Sequence, residues 1–131
     1  MNNKITAIIL LTPVVIGGVL YFYNKDTSVI KEETIAALNQ KIYNGGVFIT
    51  PLEVVSDSRC PIDVVCIWAG EVSLKVKLDK GIINKEVIFK QQIPLVFEGN
   101  TISLIDVTPE NNSKQPINKE DYRFTFLITS L

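Results

Sequence analysis

The clearest pattern in the chain is a strict alternation of apolar and polar residues from Glu71 to Leu78. The apolar side chains are those of Val72, Leu74, Val76 and Leu78, and the polar ones are those of Glu71, Ser73, Lys75 and Lys77. A period of two residues is typical of a β-strand with one face in a core and the other in water. Less regular runs of the same kind occupy residues 47–55, 83–89, 95–97, 101–107 and 122–131, and the last run places Tyr122, Phe124, Phe126 and Ile128 on one face.

Residues 34–43 fit two patterns. Ile35, Leu38 and Ile42 would share one face of a helix, whereas Leu38, Gln40 and Ile42 would alternate along a strand. We favour the strand because Asn44-Gly45-Gly46 follows, which is a strong signal for the turn of a β-hairpin. The chain then has about seven or eight short strands at regular spacing, so we predict an all-β fold, an antiparallel Ig-like β-sandwich.

The amino-terminal segment is the longest uncharged run in the chain, with 19 residues from Ile5 to Tyr23. As a helix it would be about 28 Å long, which nearly matches the hydrocarbon core of a bilayer. A cleaved signal peptide is the alternative, but it needs small residues before the cleavage site, and only Gly17 and Gly18 are small near the end of the run. Tyr21 and Tyr23 instead resemble the aromatic belt of a membrane interface. We therefore predict one transmembrane helix in residues 1–23 that remains uncleaved.

The charges that flank this run predict its orientation. Lys4 and the terminal amine precede it, whereas Lys25 after it is offset at once by Asp26. Positive charge favours the cytoplasmic side, so we expect a single-pass protein of the cell membrane with a cytoplasmic amino terminus. Residues 24–33 would form a polar tether, and residues 34–131 would form a β-sandwich domain outside the cell.

The composition excludes several classes of function. The chain has 13 Lys and Arg, 14 Asp and Glu, and a formal charge of −1, so no basic surface is expected for nucleic acid. It has no His, which excludes Ser-His-Asp triads, Cys-His pairs and His-ligated zinc. Two Cys cannot form a four-cysteine zinc site. We predict no metal and no cofactor.

Residues 57–71, DSRCPIDVVCIWAGE, contain both cysteines, one of the two arginines and the only tryptophan. We predict a disulfide between Cys60 and Cys66, worth roughly 2.4 kcal/mol by the entropy of closing so short a loop. Such a bridge also fits a domain outside the cell, where conditions are oxidising. If residues 65–69 are extended, Cys66 and Trp68 point to the same face, and an inward Trp68 would cover the sulfur.

The same segment supplies the candidate site residues: Asp57, Arg59, Asp63, Trp68 and Glu71. Asp57, Asp63 and Glu71 could act as the paired carboxylates of a hydrolase. We prefer a structural interpretation in which Asp57 caps a turn and the other two acids are solvated, which leaves no catalytic residue. Arg59 could present its planar fork to an anionic ligand, but we expect it to pair internally with Asp57 or Asp63. Five residues between the cysteines do not fit the Cys-x-x-Cys pattern of reactive thiols.

This segment resembles an uncharacterised family of exported bacterial proteins. The resemblance depends on Asp57-Ser58-Arg59-Cys60-Pro61, on Val64, Cys66, Trp68, Ala69 and Gly70, and on Asp121-Tyr122 at the start of a late strand. It implies an extracytoplasmic β-sandwich of about 100 residues and implies no enzymatic activity. Members of that family often look like lipoproteins or secreted proteins, whereas this chain is predicted to keep its anchor.

These patterns predict a membrane-anchored extracytoplasmic module of the bacterial cell envelope with a binding or structural role. Its partner would be the membrane, through the helix, together with an envelope protein or an anionic ligand. The alternative is a carboxylate-dependent hydrolase, or a metal or redox module, that uses residues 57–71. We do not expect an enzyme, since each of these chemistries lacks a residue type or a spacing that it needs.

Overall fold

The computed structural model describes residues 30–130. The anchor predicted over residues 1–23 and the first part of the tether lie outside this range. No helix among the described residues is long and apolar enough to span a bilayer.

The described part of the chain forms two antiparallel four-stranded sheets, which confirms the all-β fold. The strands are β1 (Ile30–Ala36), β2 (Ile42–Asn44), β3 (Val47–Asp57), β4 (Val72–Lys80), β5 (Ile83–Lys90), β6 (Leu95–Phe97), β7 (Asn100–Thr108) and β8 (Arg123–Ser130), with a short 3₁₀ turn at Lys119–Asp121. One sheet has the order β1-β8-β7-β6 and the other β2-β3-β4-β5. Neighbours in each sheet are therefore mostly neighbours in the chain, whereas an immunoglobulin domain interleaves strands by Greek-key crossings. The strand order thus differs from the Ig-like arrangement that we expected.

The first two strands also differ from the sequence prediction. Strand β1 begins at Ile30, within the predicted tether of residues 24–33, because residues 30–36 pair along their whole length with β8. The predicted strand over residues 34–43 is divided by a corner, where Asn39 has a positive φ of 61° and its amide bonds to the Pro51 carbonyl at 2.7 Å. The chain passes from one sheet to the other at this corner, so the two halves of the segment belong to different sheets.

The core lies between the two sheets and follows the predicted alternation closely. All four predicted inward residues of β4 are fully buried, and Tyr122, Phe124, Phe126 and Ile128 line the core from the other sheet. Phe89 and Phe126 meet across the interface in an edge-to-face contact with ring centroids 5.8 Å apart. A single apolar core therefore holds the two sheets together.

The two ends of the sandwich carry different structures. At the end where β1 begins, called the N-terminal end, the chain turns tightly at Gly45-Gly46, Gly81-Ile82 and Glu98-Gly99. Lys80 Nζ donates to the Glu98 carbonyl at 2.5 Å, which ties two of these turns together. The opposite end, called the loop end, carries the two long connections, residues 58–71 and 109–122.

Replacing Val72 with Asp should lower the free energy of unfolding by about 3 kcal/mol or more, because it places an unpaired carboxylate in the core. Val96→Asp is the matched control, since Val96 on β6 is 75% exposed. It should change stability by less than about 1 kcal/mol. Urea denaturation of both variants measures the difference. Equal midpoints would contradict the assignment of β4 to the core.

Candidate binding loop

The connection from β3 to β4, residues 58–71, is an irregular loop whose base is closed by backbone hydrogen bonds. The Ser58 amide donates to the Glu71 carbonyl at 3.0 Å, and the Cys60 amide donates to the Ala69 carbonyl at 2.8 Å. Beyond this base the predicted disulfide joins Cys60 to Cys66, with their Cα atoms 5.9 Å apart. The bridge is confirmed, and it involves both cysteines of the chain.

Gly70 allows the two sides of the loop base to approach each other. Its φ is +70°, a conformation that residues with a side chain rarely adopt. A Cβ atom at this position would also collide with the backbone carbonyl of Ser58. A larger residue at position 70 would therefore force the base of the loop apart.

Asp57 and Arg59 form a nearly buried ion pair at the foot of the loop. Arg59 Nε donates to Asp57 Oδ1 at 2.9 Å and Arg59 Nη2 donates to Oδ2 at 2.6 Å, which is a two-point contact between planar groups. Only 9% of the Asp57 side chain and 13% of the Arg59 side chain are exposed. The guanidinium also donates to the carbonyls of Val107 at 2.5 Å and Pro109 at 3.0 Å. Arg59 thus pairs internally, as the sequence predicted, and all three nitrogens of its guanidinium are engaged in these hydrogen bonds.

Two further side chains complete the bonding of Asp57. Asn111 Nδ2 donates to Asp57 Oδ1 at 3.0 Å, and the Tyr122 hydroxyl donates to Oδ2 at 3.0 Å. We call Asp57, Arg59, Asn111 and Tyr122 the polar clamp. It joins the end of β3, the 58–71 loop and the 109–122 loop, whose last residue, Tyr122, directly precedes β8. These four side chains therefore tie the two long connections together through polar contacts.

The clamp also determines the charge state of Asp57. Burial by itself would raise the pKa of Asp57, but the hydrogen bonds and positive charge of Arg59, with the Tyr122 hydroxyl, lower that pKa below 3.8. Burial and the bond to Asp57 raise the pKa of Tyr122. Asp57 is therefore an ionised acceptor at neutral pH rather than a poised acid or base.

The other two candidate carboxylates have separate partners. Asp63 accepts hydrogen bonds from the Ser113 amide at 2.9 Å and from the Ser113 hydroxyl, and the hydroxyl is the main cause of its lowered pKa. Glu71 pairs with Lys90 on β5 at 2.8 Å. Asp63 thus fastens one loop to the other, although we expected it to be only solvated. No hydrogen bond joins Asp57, Asp63 or Glu71 to another of the three in the described structure.

Trp68 does not cover the disulfide as predicted. Residues 65–69 belong to the irregular loop rather than a strand, so the alternation argument fails there, and Trp68 is 78% exposed. Val65 and Ile67 on either side of Cys66 are 102% and 92% exposed. Together with Ile62 and Val64, which are also exposed, they form what we call the apolar ridge: Ile62, Val64, Val65, Ile67 and Trp68.

A shallow cleft of about 400 Å³ runs beside the loop and is lined in part by Arg59, Glu71, Asp106 and Glu110. Its one guanidinium is engaged in the clamp, so the cleft offers little to an anionic ligand. Within residues 30–130, no three Cys, Asp or Glu side chains are grouped to hold a metal ion.

Two features of this site were not predicted from the sequence. Asn111 was not among the predicted site residues, because nothing local shows that its amide faces a carboxylate 54 residues away. The apolar ridge was not predicted because residues 65–69 were considered as an extended segment with Trp68 pointing inward. The useful signal was available in the run Val64-Val65-Cys66-Ile67-Trp68, whose apolar residues do not alternate with polar ones.

Asp57, Arg59 and Tyr122 belong to the motif on which the resemblance to exported bacterial proteins depends. They meet in the polar clamp, although Tyr122 lies 65 residues along the chain from Asp57. Comparison with known protein families, curated proteins and solved structures finds no match to this chain. The family resemblance therefore stays a prediction, to which the clamp adds a physical reason for these residue types.

The lowered pKa of Asp57 predicts a component of acid sensitivity. Its stabilising effect is complete above the ordinary pKa of 3.8 and is lost as pH falls through the lower folded value. Asp57→Asn removes this titration, so the free energy of unfolding should fall less steeply between about pH 5 and pH 2 than in the parent. Denaturant titrations across that range measure the slope. Ile82→Ser, at the exposed N-terminal end, changes no titrating group and should keep the parent slope. An unchanged slope in Asp57→Asn would contradict the assignment.

Proposed function

We propose that the protein is a membrane-anchored, extracytoplasmic binding module of the bacterial cell envelope, and that it binds through the 58–71 loop. The observation that carries the proposal is the apolar ridge, whose five side chains are exposed on a loop that is fastened at both ends. Exposed apolar side chains that lie together are typical of interaction sites, whereas single ones are common on any surface.

The fastening of the loop matters for binding. A flexible loop loses conformational entropy when a partner immobilises it, and that loss weakens binding. Here the disulfide, the hydrogen-bonded base and the polar clamp fix the loop beforehand. The ridge is thus presented in one shape, as a rigid binding element requires.

The anchored, extracytoplasmic location is supported by the sequence and by the bridge. The uncharged run of residues 5–23 has the length of a membrane helix, and Lys4 before it favours a cytoplasmic amino terminus. The Cys60–Cys66 disulfide suits an oxidising compartment. The resemblance to exported bacterial proteins, through residues such as Asp57 and Tyr122, points to the same location.

The alternative functions have weaker support. A carboxylate-dependent hydrolase needs an acid with a raised pKa, and the pKa of Asp57 is lowered. A thiol redox module needs a reactive thiolate, and both cysteines are joined in a loop without the Cys-x-x-Cys spacing. A metal module would need a group of ligands, and in the part of the chain that the structure describes no three Cys, Asp or Glu side chains are grouped to hold a metal ion.

The proposed location predicts that the full chain, extracted from membranes, begins with its encoded amino terminus because the helix is not cleaved. In intact spheroplasts, added proteinase should digest the β-sandwich domain because it lies outside. Amino-terminal sequencing and immunoblotting measure the two outcomes. A chain beginning near residues 19–25 would show a cleaved signal, and a protected domain would reverse the orientation.

A further inference from the structure

The direction of β1 decides which end of the domain faces away from the membrane. Strand β1 runs from Ile30 at the N-terminal end to Ala36 near the loop end, a rise of about 20 Å. Any anchor that precedes Ile30 is therefore attached at the end opposite the apolar ridge. This step rests on the proposed anchoring.

The tether is too short to favour contact between the ridge and the bilayer. Residues 24–29, between the predicted helix and β1, reach about 21 Å at most when fully extended. With the chain entering at the N-terminal end, the loop end extends a further strand length outward. The ridge thus faces the exterior rather than the lipid surface that holds the anchor.

The charges around the ridge also disfavour lipid. The two connections at the loop end, residues 58–71 and 109–122, carry five acidic and three basic side chains. Arg59 is occupied inside the clamp and Glu71 is only partly exposed. The exposed charges are then four acidic and two basic: Asp63, Glu110, Glu120 and Asp121 against Lys114 and Lys119. Loops and helices that enter an anionic bilayer usually carry Lys or Arg around their apolar residues. An acidic rim is complementary to a basic surface.

We infer that the apolar ridge docks into an apolar pocket, rimmed by basic side chains, on another protein of the envelope exterior. Trp68 and Val65 are the expected anchors, because Trp68 is the largest side chain of the ridge and is 78% exposed, and Val65 is fully exposed. A few such side chains supply most of the energy of a protein interface. Asp63 and Glu110 give the orientation and the rate of encounter through the basic rim.

The lipid alternative can be tested with Trp68, which is the only tryptophan of the chain. The full chain is reconstituted in vesicles of phosphatidylcholine and phosphatidylglycerol, and tryptophan emission is followed with acrylamide and with brominated phosphatidylcholine as quenchers. We expect quenching by acrylamide alone. Quenching by the brominated lipid would place the ridge in the bilayer and overturn the inference, while leaving the anchored binding module intact.

Flotation of the same vesicles separates the two proposals. If the chain does not float with the lipid, the anchoring fails, and the inference about direction fails with it. If the chain floats with the vesicles and Trp68 is quenched by acrylamide alone, the results support both the anchoring and the outward direction of the ridge.

The partner is tested by capture from envelope extracts of the native cell, with the full chain held in nanodiscs. We expect a protein whose recovery falls about tenfold or more in Val65→Ser and Trp68→Ser. The matched control is Ile82→Ser, since Ile82 is 100% exposed at the N-terminal end. It should capture the protein as well as the parent does. Thermal unfolding of each variant shows that the loss is not a loss of folding.

The captured protein is then purified and titrated directly. Glu110→Gln and added salt should both weaken binding, as an acidic rim facing a basic one requires. Three outcomes would overturn the inference. Capture could yield no protein whose recovery depends on Val65 and Trp68, or recovery could fall equally in Ile82→Ser. The captured species could also be a second copy of this chain.

Discussion

The loop end of this protein depends on the ion pair between Asp57 and Arg59. The pair is nearly closed to solvent, and its two parallel hydrogen bonds fix the relative position of the end of β3 and the first residues of the loop. Arg59 then reaches across to the carbonyl of Val107 on β7, in the other sheet, and to that of Pro109, at the start of the 109–122 connection. Removing either partner would leave the other charged, nearly buried and without its counter-charge, at a cost of about 3–5 kcal/mol.

The shape of the loop depends on this ion pair because few side chains of the loop are buried in the core. Its larger apolar residues, such as Val65, Ile67 and Trp68, point outward and gain nothing from burial on folding. The shape of the loop therefore comes from covalent and polar contacts: the disulfide, the bonds of the clamp, and the bond of Asp63 to Ser113. The sandwich supplies a rigid support, and the exposed apolar side chains are left free for a partner.

The sequence was most informative where a pattern reports directly on burial. The alternation through β4 and the single face of β8 identified core residues correctly, because one face of a sheet must exclude water. The disulfide and the pairing of Arg59 were also predictable, since their partners lie within a few residues. Trp68 was placed wrongly because alternation has no meaning in a loop whose backbone is not extended. The contacts of Asn111 and Tyr122 with Asp57 were not predictable from local patterns, because they form only when distant segments meet.

Amide hydrogen exchange in Asp57→Asn, with the disulfide kept oxidised, tests most directly whether the clamp fixes the loop. The Cys60 and Ile62 amides, which bond to the carbonyls of Ala69 and Asn111, should lose their protection, while the amides of β4 and β8 keep theirs. Glu71→Gln, which breaks only the pair with Lys90, should leave the Cys60 and Ile62 amides protected. Unchanged exchange at these two amides in Asp57→Asn would contradict the account, because the loop would then hold its shape without the clamp.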